Sequence, residues 1–303
     1  MELMFLGTGA GRPLKGRNVT SVALMFGLSR SFWLFDCGEG TQHQLLRTPL
    51  KLSAISHVFV THLHGDHLFG LPGLLSSRSS EGGTKPVRLF GPNGLREWID
   101  TSIRISRNHL DYDLDITEIE EGVILETDRY LVTAARLEHR IECFGYRIAE
   151  KPKPGRLNAE RLKEIGVPMG PLYGKLKRGE DVTWEDGRII RAAEVLGPEK
   201  PGRIVAILGD TSPCEQAVKL SQHADIMVHE ATFDATMTSK ALDYGHSTTQ
   251  QAAESARKAK AKRLIITHFS SRFGTEDLER LAEEAREVFP NTEAAVDLLH
   301  IRS

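Results

Sequence analysis

Apolar residues in the first third of the chain come in short runs separated by turn-forming residues, a pattern that predicts β-strands joined by tight connections. The run at 3–6 stops at a glycine-rich segment, and the runs at 21–26 and 32–35 flank a predicted hairpin connection at 27–30. A further run at 57–61 has the composition of a buried strand and leads directly into a cluster of histidines. We therefore expect the chain to begin with a sheet built from hairpins.

Farther along the chain, apolar strands alternate with helices. Ser247 and Gln250 have the spacing of a capping box ahead of an alanine-rich helix. The segment 276–289 is amphipathic, with its leucines and alanines on one face. Hairpins followed by alternating strands and helices predict an α/β fold, with sheets in the middle and helices outside. The three predicted strands are 203–208, 225–229 and 263–267.

The segment 151–203 interrupts this pattern. It is rich in proline and glycine, carries 12 Lys or Arg against 8 Asp or Glu, and contains one segment of helical character, 158–165. A long surface loop or linker and a protruding, locally basic arm both fit this composition. Because loops of this length are usually functional or disordered, we favour a flexible arm inserted into a single domain that spans 1–303.

Composition excludes several classes of protein. With 40% apolar and 26% charged residues, the 303-residue chain is typical of globular proteins. No apolar run approaches the roughly 20 residues of a membrane span, so no membrane association is expected. The N-terminus lacks the features of a secretory signal, and three widely spaced cysteines do not suggest a disulfide framework. We therefore expect a cytoplasmic protein.

The net charge of −2 argues against a protein that is basic over its whole surface. Any contacts with nucleic acid would have to be local, as on the segment 151–203 with its excess of four positive charges.

The segment 62–67, with the sequence HLHGDH, indicates a metal site. Imidazole and carboxylate groups are standard zinc ligands. On an extended strand end His62 and His64 point to the same side, and after a turn at Gly65 the side chains of Asp66 and His67 can aim at a second point nearby. One short segment can thus serve two metal ions. A histidine-rich loop that binds metal only opportunistically is the alternative, which the preceding apolar strand disfavours.

Two metal ions need further ligands. His139, Asp210 and His268 are candidates, because Asp210 and His268 directly follow apolar strands, where α/β folds gather their sites. Taken singly, such a residue is more often an ordinary surface or hydrogen-bonded residue than a ligand.

The order of these motifs resembles the metallo-β-lactamase fold family and, within it, the ribonuclease Z enzymes that mature the 3′ ends of tRNA. The histidine segment followed by a distant His, Asp and His is common to the fold, whereas five further motifs resemble the ribonuclease Z subgroup. These motifs lie at 13–18, 36–42, 166–171, 229–232 and 246–248.

The resemblance implies an αββα sandwich, in which two mixed sheets pack face to face with helices outside and an arm protrudes. It also implies two zinc ions in each subunit, although manganese or cobalt would suit the same donors. One ion would be held by His62, His64, His139 and Asp210. The other would be held by Asp66, His67, His268 and the same Asp210 as a bridge.

The resemblance further implies an endoribonuclease that cuts 3′-extended precursor tRNA with a hydroxide activated by both metals, leaving a 3′-hydroxyl on the tRNA and a 5′-phosphate on the trailer. Asp66 would accept the proton of the attacking water. His246, oriented by Glu230, would protonate the leaving oxygen. The protein would act as a homodimer.

Phosphate contacts are expected from five basic residues: Lys15, Arg17, Lys175, Lys177 and Arg178. Two alternatives remain. Another hydrolase of the same fold, such as a phosphodiesterase or thioesterase, would share the metal ligands, but the basic insertion between His139 and Asp210 disfavours a small substrate. A non-catalytic RNA-binding protein with structural zinc would have closed metal sites.

Overall fold

Two seven-stranded sheets dominate the structure, which we describe from a computed structural model that covers residues 1–27, 31–167, 169–184 and 186–302. The strands are β1 (Glu2–Gly7), β2 (Ser21–Met25), β3 (Phe32–Phe35), β4 (Ile55–Phe59), β5 (Val87–Gly91), β6 (Leu114–Glu118), β7 (Gly122–Glu126), β8 (Tyr130–Arg136), β9 (Phe144–Glu150), β10 (Val182–Thr183), β11 (Ile189–Ile190), β12 (Ile204–Ile207), β13 (Ile226–Glu230), β14 (Leu264–Thr267), β15 (Thr292–Ala294) and β16 (His300–Arg302).

Helices connect and cover these strands. None of those in the described ranges is both long and apolar enough to cross a bilayer. The α-helices are α1 (Thr41–Leu45), α2 (Gly65–Leu68), α3 (Leu71–Ser80), α4 (Leu95–Ser106), α5 (Ala159–Glu164), α6 (Pro171–Lys177), α7 (Ala192–Val195), α8 (Glu215–Leu220), α9 (Thr238–Tyr244), α10 (Thr249–Ala259) and α11 (Leu278–Arg286), with short 3₁₀ turns at Leu52–Ala54 and Ala235–Met237.

The first sheet has the strand order β16-β1-β2-β3-β4-β5-β6. Strands β1, β2, β3 and β16 pair antiparallel, and β3 to β6 pair parallel. The predicted hairpin is confirmed, since Val22 pairs with Phe35 and Met25 with Phe32. Of its predicted connection, residues 28–30 lie outside the described part of the chain.

The second sheet has the order β15-β14-β13-β12-β9-β8-β7. Strands β12 to β15 are parallel, whereas β7 and β8 are antiparallel. The three strands predicted late in the sequence are confirmed as β12, β13 and β14, and the strand predicted at 57–61 begins two residues earlier, at Ile55. Both sheets are therefore mixed, as predicted.

Aromatic residues fill the space between the sheets. In the first sheet Phe35 stacks on Phe59, and Phe59 contacts Tyr146 of the second sheet with ring centroids 5.4 Å apart. The Tyr146 hydroxyl donates a hydrogen bond to the Val60 carbonyl. Leucines of α3 and α4 cover the outer face of the first sheet, and alanines and leucines of α10 and α11 cover that of the second. The αββα arrangement is confirmed.

The N-cap of helix α10 lies one residue later than predicted. The capping box is formed by Thr248 and Gln251 rather than by Ser247 and Gln250. The reason is that the Ser247 hydroxyl is buried and donates to the Thr211 carbonyl 2.7 Å away, so it is engaged elsewhere.

Residues 127–130 and 149–203 form a second compact unit. The predicted helix at 158–165 is confirmed as α5, capped by the Asn158 side chain, but α6, α7 and the β10–β11 hairpin were not predicted, because elements this short show little periodicity. The role of 151–203 as a flexible arm stays a prediction. A small core holds the unit together; its buried residues are Leu162, Val167, Leu176, Val182, Ile190, Ala192 and Val195.

Candidate metal centre

The predicted ligands gather where strands of both sheets end. Parallel strands bring their carboxyl ends to one edge, so side chains from distant parts of the sequence meet there. Helix α2 begins at Gly65, directly after the extended residues that follow β4, and carries Asp66 and His67. The other ligands follow strand ends: His62 and His64 after β4, His139 after β8, Asp210 after β12 and His268 after β14.

Asp210 lies at the centre of this cluster. Its side chain is 3% exposed, and its Oδ2 atom faces ring nitrogens of five histidines. The distances to this oxygen are 3.6 Å from His62 Nε2, 3.5 Å from His67 Nε2, 4.0 Å from His139 Nε2, 3.9 Å from His246 Nδ1 and 3.5 Å from His268 Nε2.

The donor atoms fall into groups of the size that a metal ion requires, with all donors of a group within 4.8 Å of one another. The groups are His62, His64, His139 and Asp210; Asp66, His67 and His268; and Asp210, His246 and His268. Because Asp210 Oδ2 is 3.5 Å from both His67 Nε2 and His268 Nε2, Asp210 can be shared between the first group and the second.

The surroundings of the buried His62 side chain indicate whether these residues fit a metal ion. Its Nε2 atom is inaccessible to solvent and has no hydrogen-bond partner among the described residues. A buried polar atom without a partner is costly, and a metal ion would satisfy it. Imidazole and carboxylate donors in these groups also match zinc chemistry. The residues present therefore fit divalent metal ions.

A second layer of hydrogen bonds orients the imidazoles. His67 Nδ1 lies 2.7 Å from the Asp36 carboxylate, so it donates there and leaves Nε2 for the site. His139 Nδ1 donates to the Gly245 carbonyl at 2.7 Å. His268 Nδ1 lies 2.9 Å from the Thr232 hydroxyl. Each ring is thus held with its other nitrogen facing Asp210.

Asp36 contacts a candidate ligand, although the sequence analysis did not single it out as a site residue. It is buried, adopts a left-handed φ of 57°, and accepts hydrogen bonds from the Thr61 amide and hydroxyl as well as from His67. The available signal was its position directly after the apolar strand β3, which is the same signal that identified Asp210 and His268.

Electrostatics favour the protonation states that bind metal at five of the candidate ligands, whereas at His67 the carboxylates of Asp210, Asp36 and Asp66 outweigh burial and raise the pKa. Burial lowers the pKa of His62, His64 and His139, and neighbouring imidazoles lower it further, which favours neutral rings. Burial alone would raise the pKa of Asp66 and Asp210, but the adjacent His67 and His268 outweigh burial and lower it. Metal ligands are neutral imidazoles and ionised carboxylates.

His246 and Glu230 form a pair at the edge of the cluster. His246 Nδ1 lies 2.9 Å from Glu230 Oε1. Buried Glu230 also accepts bonds from the Thr211, Thr232 and Ser247 amides. Burial lowers the pKa of His246, but the Glu230 carboxylate outweighs burial and raises it to about 9. His246 is also within reach of a metal held by Asp210 and His268.

A cavity of about 370 Å³ opens from the cluster, and its wall carries basic residues that the sequence analysis missed. Arg140 and Lys240 lie over the ring of Tyr244, and Arg272 lies over Phe233. No spacing in the sequence marks these residues, because they lie far apart in the chain, Lys240 on α9 and Arg140 and Arg272 on loops. Their charges favour a polyanion at the cavity mouth.

The predicted phosphate contacts differ in accessibility. Lys15 is exposed, whereas Arg17 is 4% exposed and donates to the Phe269 and Phe273 carbonyls. A phosphate contact by Arg17 would require these hydrogen bonds to break. In this structure Arg17 instead links its own segment to the segment 269–273. The three basic residues predicted in the second unit are all exposed on or next to α6: Lys175, Lys177 and Arg178. The motif at 166–171 is described apart from residue 168, which lies outside the described residues.

Comparisons with known proteins agree with this geometry. A family model described as Anti-Pycsar protein Apyc1 matches residues 1–146. Ribonuclease Z of Bacillus licheniformis is 55% identical over 298 residues, which cover 98% of this chain and 97% of that protein. Ribonuclease Z of Geobacillus kaustophilus is 54% identical with the same coverage.

A solved structure extends the match to three dimensions. The crystal structure of the short form of human tRNase Z is similar with a TM-score of 0.73 and 31% identity, and the match covers 100% of this chain and 99% of that one. Identity above half of all positions over nearly the whole length, together with the αββα fold, assigns the family. The chain belongs to the ribonuclease Z family.

Proposed function

We propose that this protein is a metal-dependent endoribonuclease that cleaves 3′-extended precursor tRNA, leaving a 3′-hydroxyl on the tRNA and a 5′-phosphate on the trailer. The observation that carries the proposal is the Asp210 carboxylate, which belongs to one group of metal donors and lies 3.5 Å from His67 and His268 of a second group, in a chain of the ribonuclease Z family. The relatives named above are the reason for choosing tRNA as the substrate.

Two divalent ions, with zinc as our choice and manganese or cobalt as substitutes, would be held by two sets of donors: His62, His64, His139 and Asp210, and Asp66, His67, His268 and the same Asp210. When bound, such ions supply Lewis acidity, which lowers the pKa of water and offsets charge on a phosphate. The chain positions them by holding the imidazole rings through Asp36, Thr232 and the Gly245 carbonyl.

Asp66 is our candidate for the proton acceptor. Its Oδ2 atom accepts a hydrogen bond from the Gly11 amide at 2.6 Å and lies 3.3 Å from His268 Nε2. The side chain also lines the cavity, where a substrate phosphate would enter. The carboxylate is therefore held in place at the point where the attacking water would lose its proton.

His246 is our candidate for the proton donor to the leaving 3′-oxygen, with Glu230 as its positioning residue. Because Nδ1 donates to Glu230 Oε1, Nε2 is the ring atom left to carry a proton toward a substrate. His246 lines the same cavity as Asp66, so one group serves each end of the scissile bond.

Recognition of the tRNA body would use shape and phosphate contacts rather than base sequence. Lys15 and the exposed Lys175, Lys177 and Arg178 of the second unit are the proposed contacts. Arm-mediated binding and a homodimer follow from the family resemblance, a cytoplasmic location is the expectation from composition, and all three belong to the same proposal.

The test is cleavage of a 3′-extended tRNA with both product ends mapped, before and after removal of metal by a chelator. We expect one cut, a 3′-hydroxyl and a 5′-phosphate, loss of activity with chelator and recovery with added zinc. Asp210→Ala serves as the inactive control. A protein that hydrolyses a small phosphodiester or a thioester but leaves the tRNA intact would contradict the proposal and favour another hydrolase of this fold.

A further inference from the structure

One wall next to the metal centre is an aromatic side chain that the mechanism above does not use. Phe69 is 63% exposed. It lines an open cavity of about 380 Å³ together with His64, Gly65, Asp66 and Glu39. An isolated exposed phenylalanine is ordinary on a protein surface. Phe69, however, lies three residues after the proposed metal ligand Asp66, and both side chains line this cavity of about 380 Å³.

The Phe69 ring lies close to the backbone that carries the proposed ligands. It lies over Gly65, where an added Cβ would come within 2.3–2.7 Å of three ring atoms, so the glycine leaves room for the ring in this position. The Phe69 amide donates to the Gly65 carbonyl at 2.9 Å. Phe69 thus directly follows the short helix α2, which carries Asp66 and His67.

A second aromatic ring extends this surface. Trp98 of α4 lies nearly parallel to Phe69, with an angle of 11° between the planes and 6.2 Å between the centroids. Trp98 is itself partly buried and packs against the hydrophobic core of the first sheet. The exposed ring is thus supported by a rigid element rather than by a loop.

We infer that Phe69, supported by Trp98, is a stacking platform for a nucleobase of the substrate next to the scissile phosphate. This inference rests on the proposed function. Single-stranded RNA is commonly bound by stacking of its bases on aromatic side chains, and such stacking tolerates any base because each has a π-face. The ring would position the strand across the metals, while the phosphate contacts lie elsewhere.

The first test compares Phe69→Ala, Phe69→Leu and Phe69→Trp with the wild type on 3′-extended tRNA. We expect kcat/KM to fall by roughly 5- to 100-fold in F69A, the range known for loss of one base stack. F69L should recover only part of the loss, and F69W should recover most of it. Ile105→Ala is the matched control, since Ile105 is an exposed apolar residue of α4 itself. Metal content should be unchanged in every variant.

The second test asks whether a base is the partner of the ring. Substrates with a single abasic nucleotide on either side of the cleavage site are cut by wild type and by F69A. At the stacked position the abasic change should slow the wild type to about the rate of F69A and should slow F69A no further. A loss in F69A that is equally large on the intact and on both abasic substrates would overturn the inference.

The same experiments separate the proposed function from the role of Phe69. If the wild type leaves the tRNA uncut, the proposed function is wrong and this inference falls with it. If the wild type cuts the tRNA and F69A cuts it equally well, the proposed function stands and only the role of Phe69 is wrong.

Discussion

At the scale of single residues, a substitution of Asp210 should disturb the candidate site the most. Its Oδ2 atom lies close to both His62 Nε2 and His67 Nε2, at 3.6 and 3.5 Å, and these nitrogens belong to different donor groups. A change at Asp210 should therefore affect both groups, whereas a change at His64 affects one.

We expect purified protein to hold close to two equivalents of metal and Asp210→Ala to lose most of both, together with activity. His64→Ala is the matched control and should keep more metal than D210A, because His64 belongs only to the first group. Elemental analysis after dialysis measures both. A D210A protein that keeps two equivalents would contradict the shared-carboxylate arrangement.

The role proposed for His246 predicts a different behaviour. His246→Ala should lower kcat by roughly 10²- to 10⁴-fold, the usual range for loss of a general acid, with metal content unchanged. The measurement pairs single-turnover cleavage of 3′-extended tRNA with elemental analysis. Because His246 also lies within reach of a metal bound by Asp210 and His268, loss of metal in H246A would instead identify it as a ligand.

The seven candidate ligands could be picked out in the sequence from the HLHGDH segment, from residues that follow apolar strands and from the family resemblance, and the structure brings their donor atoms together. Their supports were harder to find. The Gly245 carbonyl is a backbone atom that every residue possesses, and a threonine hydroxyl such as that of Thr232 is too common in sequences to mark a site. Arg140 and Arg272 meet only through tertiary contacts.

At the scale of elements, strand β4 illustrates how a strand serves both core and site. It delivers His62 at its end, while His57 within it packs against Trp33, with ring centroids 4.9 Å apart, and near Arg88. Burial and the positive charge of Arg88 lower the pKa of His57 to about 4. An unfolded chain would protonate this ring at about pH 6.5.

The stability of the protein should therefore fall between pH 6.5 and 4, because the unfolded state binds the proton first. Between pH 7 and 4.5 we expect the free energy of unfolding of His57→Gln to fall by about 2–3 kcal/mol less than that of the wild type, judged from the size of the pKa change. Urea unfolding of both proteins at the two pH values, each stripped of metal, gives the difference. His109→Gln is the control, since the His109 side chain is 89% exposed. Equal acid sensitivity in H57Q and wild type would show that His57 does not titrate in this way.

The local sequence pattern did not always predict the exact residue at which a helix or strand begins. The capping motif of α10 was predicted one residue early, because Ser247 and Thr248 are equally good caps in sequence and only the buried contact of Ser247 with Thr211 separates them. In contrast, β3 and α5 have their predicted positions, since apolar runs and an Asn cap mark them clearly.

At the scale of the whole molecule, the order of strands depends on long-range pairing that no local pattern encodes. The last strand, β16, pairs with the first, so that Glu2 lies opposite Arg302. Fold class was predictable from the alternation of elements and from family resemblance, but this closure was not. The second unit was likewise predicted mainly from composition, which did not reveal that it has a core of its own.

The arrangement of the insertion makes its removal a practical experiment. The Glu150 amide donates to the Arg203 carbonyl at 2.8 Å, and Lys153 and Lys200 form a β-bridge. The two ends of the segment are thus adjacent, and a linker of roughly four residues can join them. Because the core of the unit consists of its own residues, deletion should leave the two large sheets folded.

Replacing 151–202 by such a linker should leave both metals and hydrolysis of a small nitrophenyl phosphodiester unchanged, because no proposed metal ligand lies in the segment. Binding of precursor tRNA should weaken strongly and depend less on salt, since each lost phosphate contact lowers the log–log slope by roughly 0.7–0.9. The intact chain with Lys175, Lys177 and Arg178 all changed to Ala is the matched control; it keeps the unit but removes its exposed charges, and it should reproduce most of the change in slope. Filter binding across a salt series measures both variants. If the deletion variant binds and cuts precursor tRNA as the wild type does, the segment is only a linker, and substrate recognition must come from the basic residues around the metal centre.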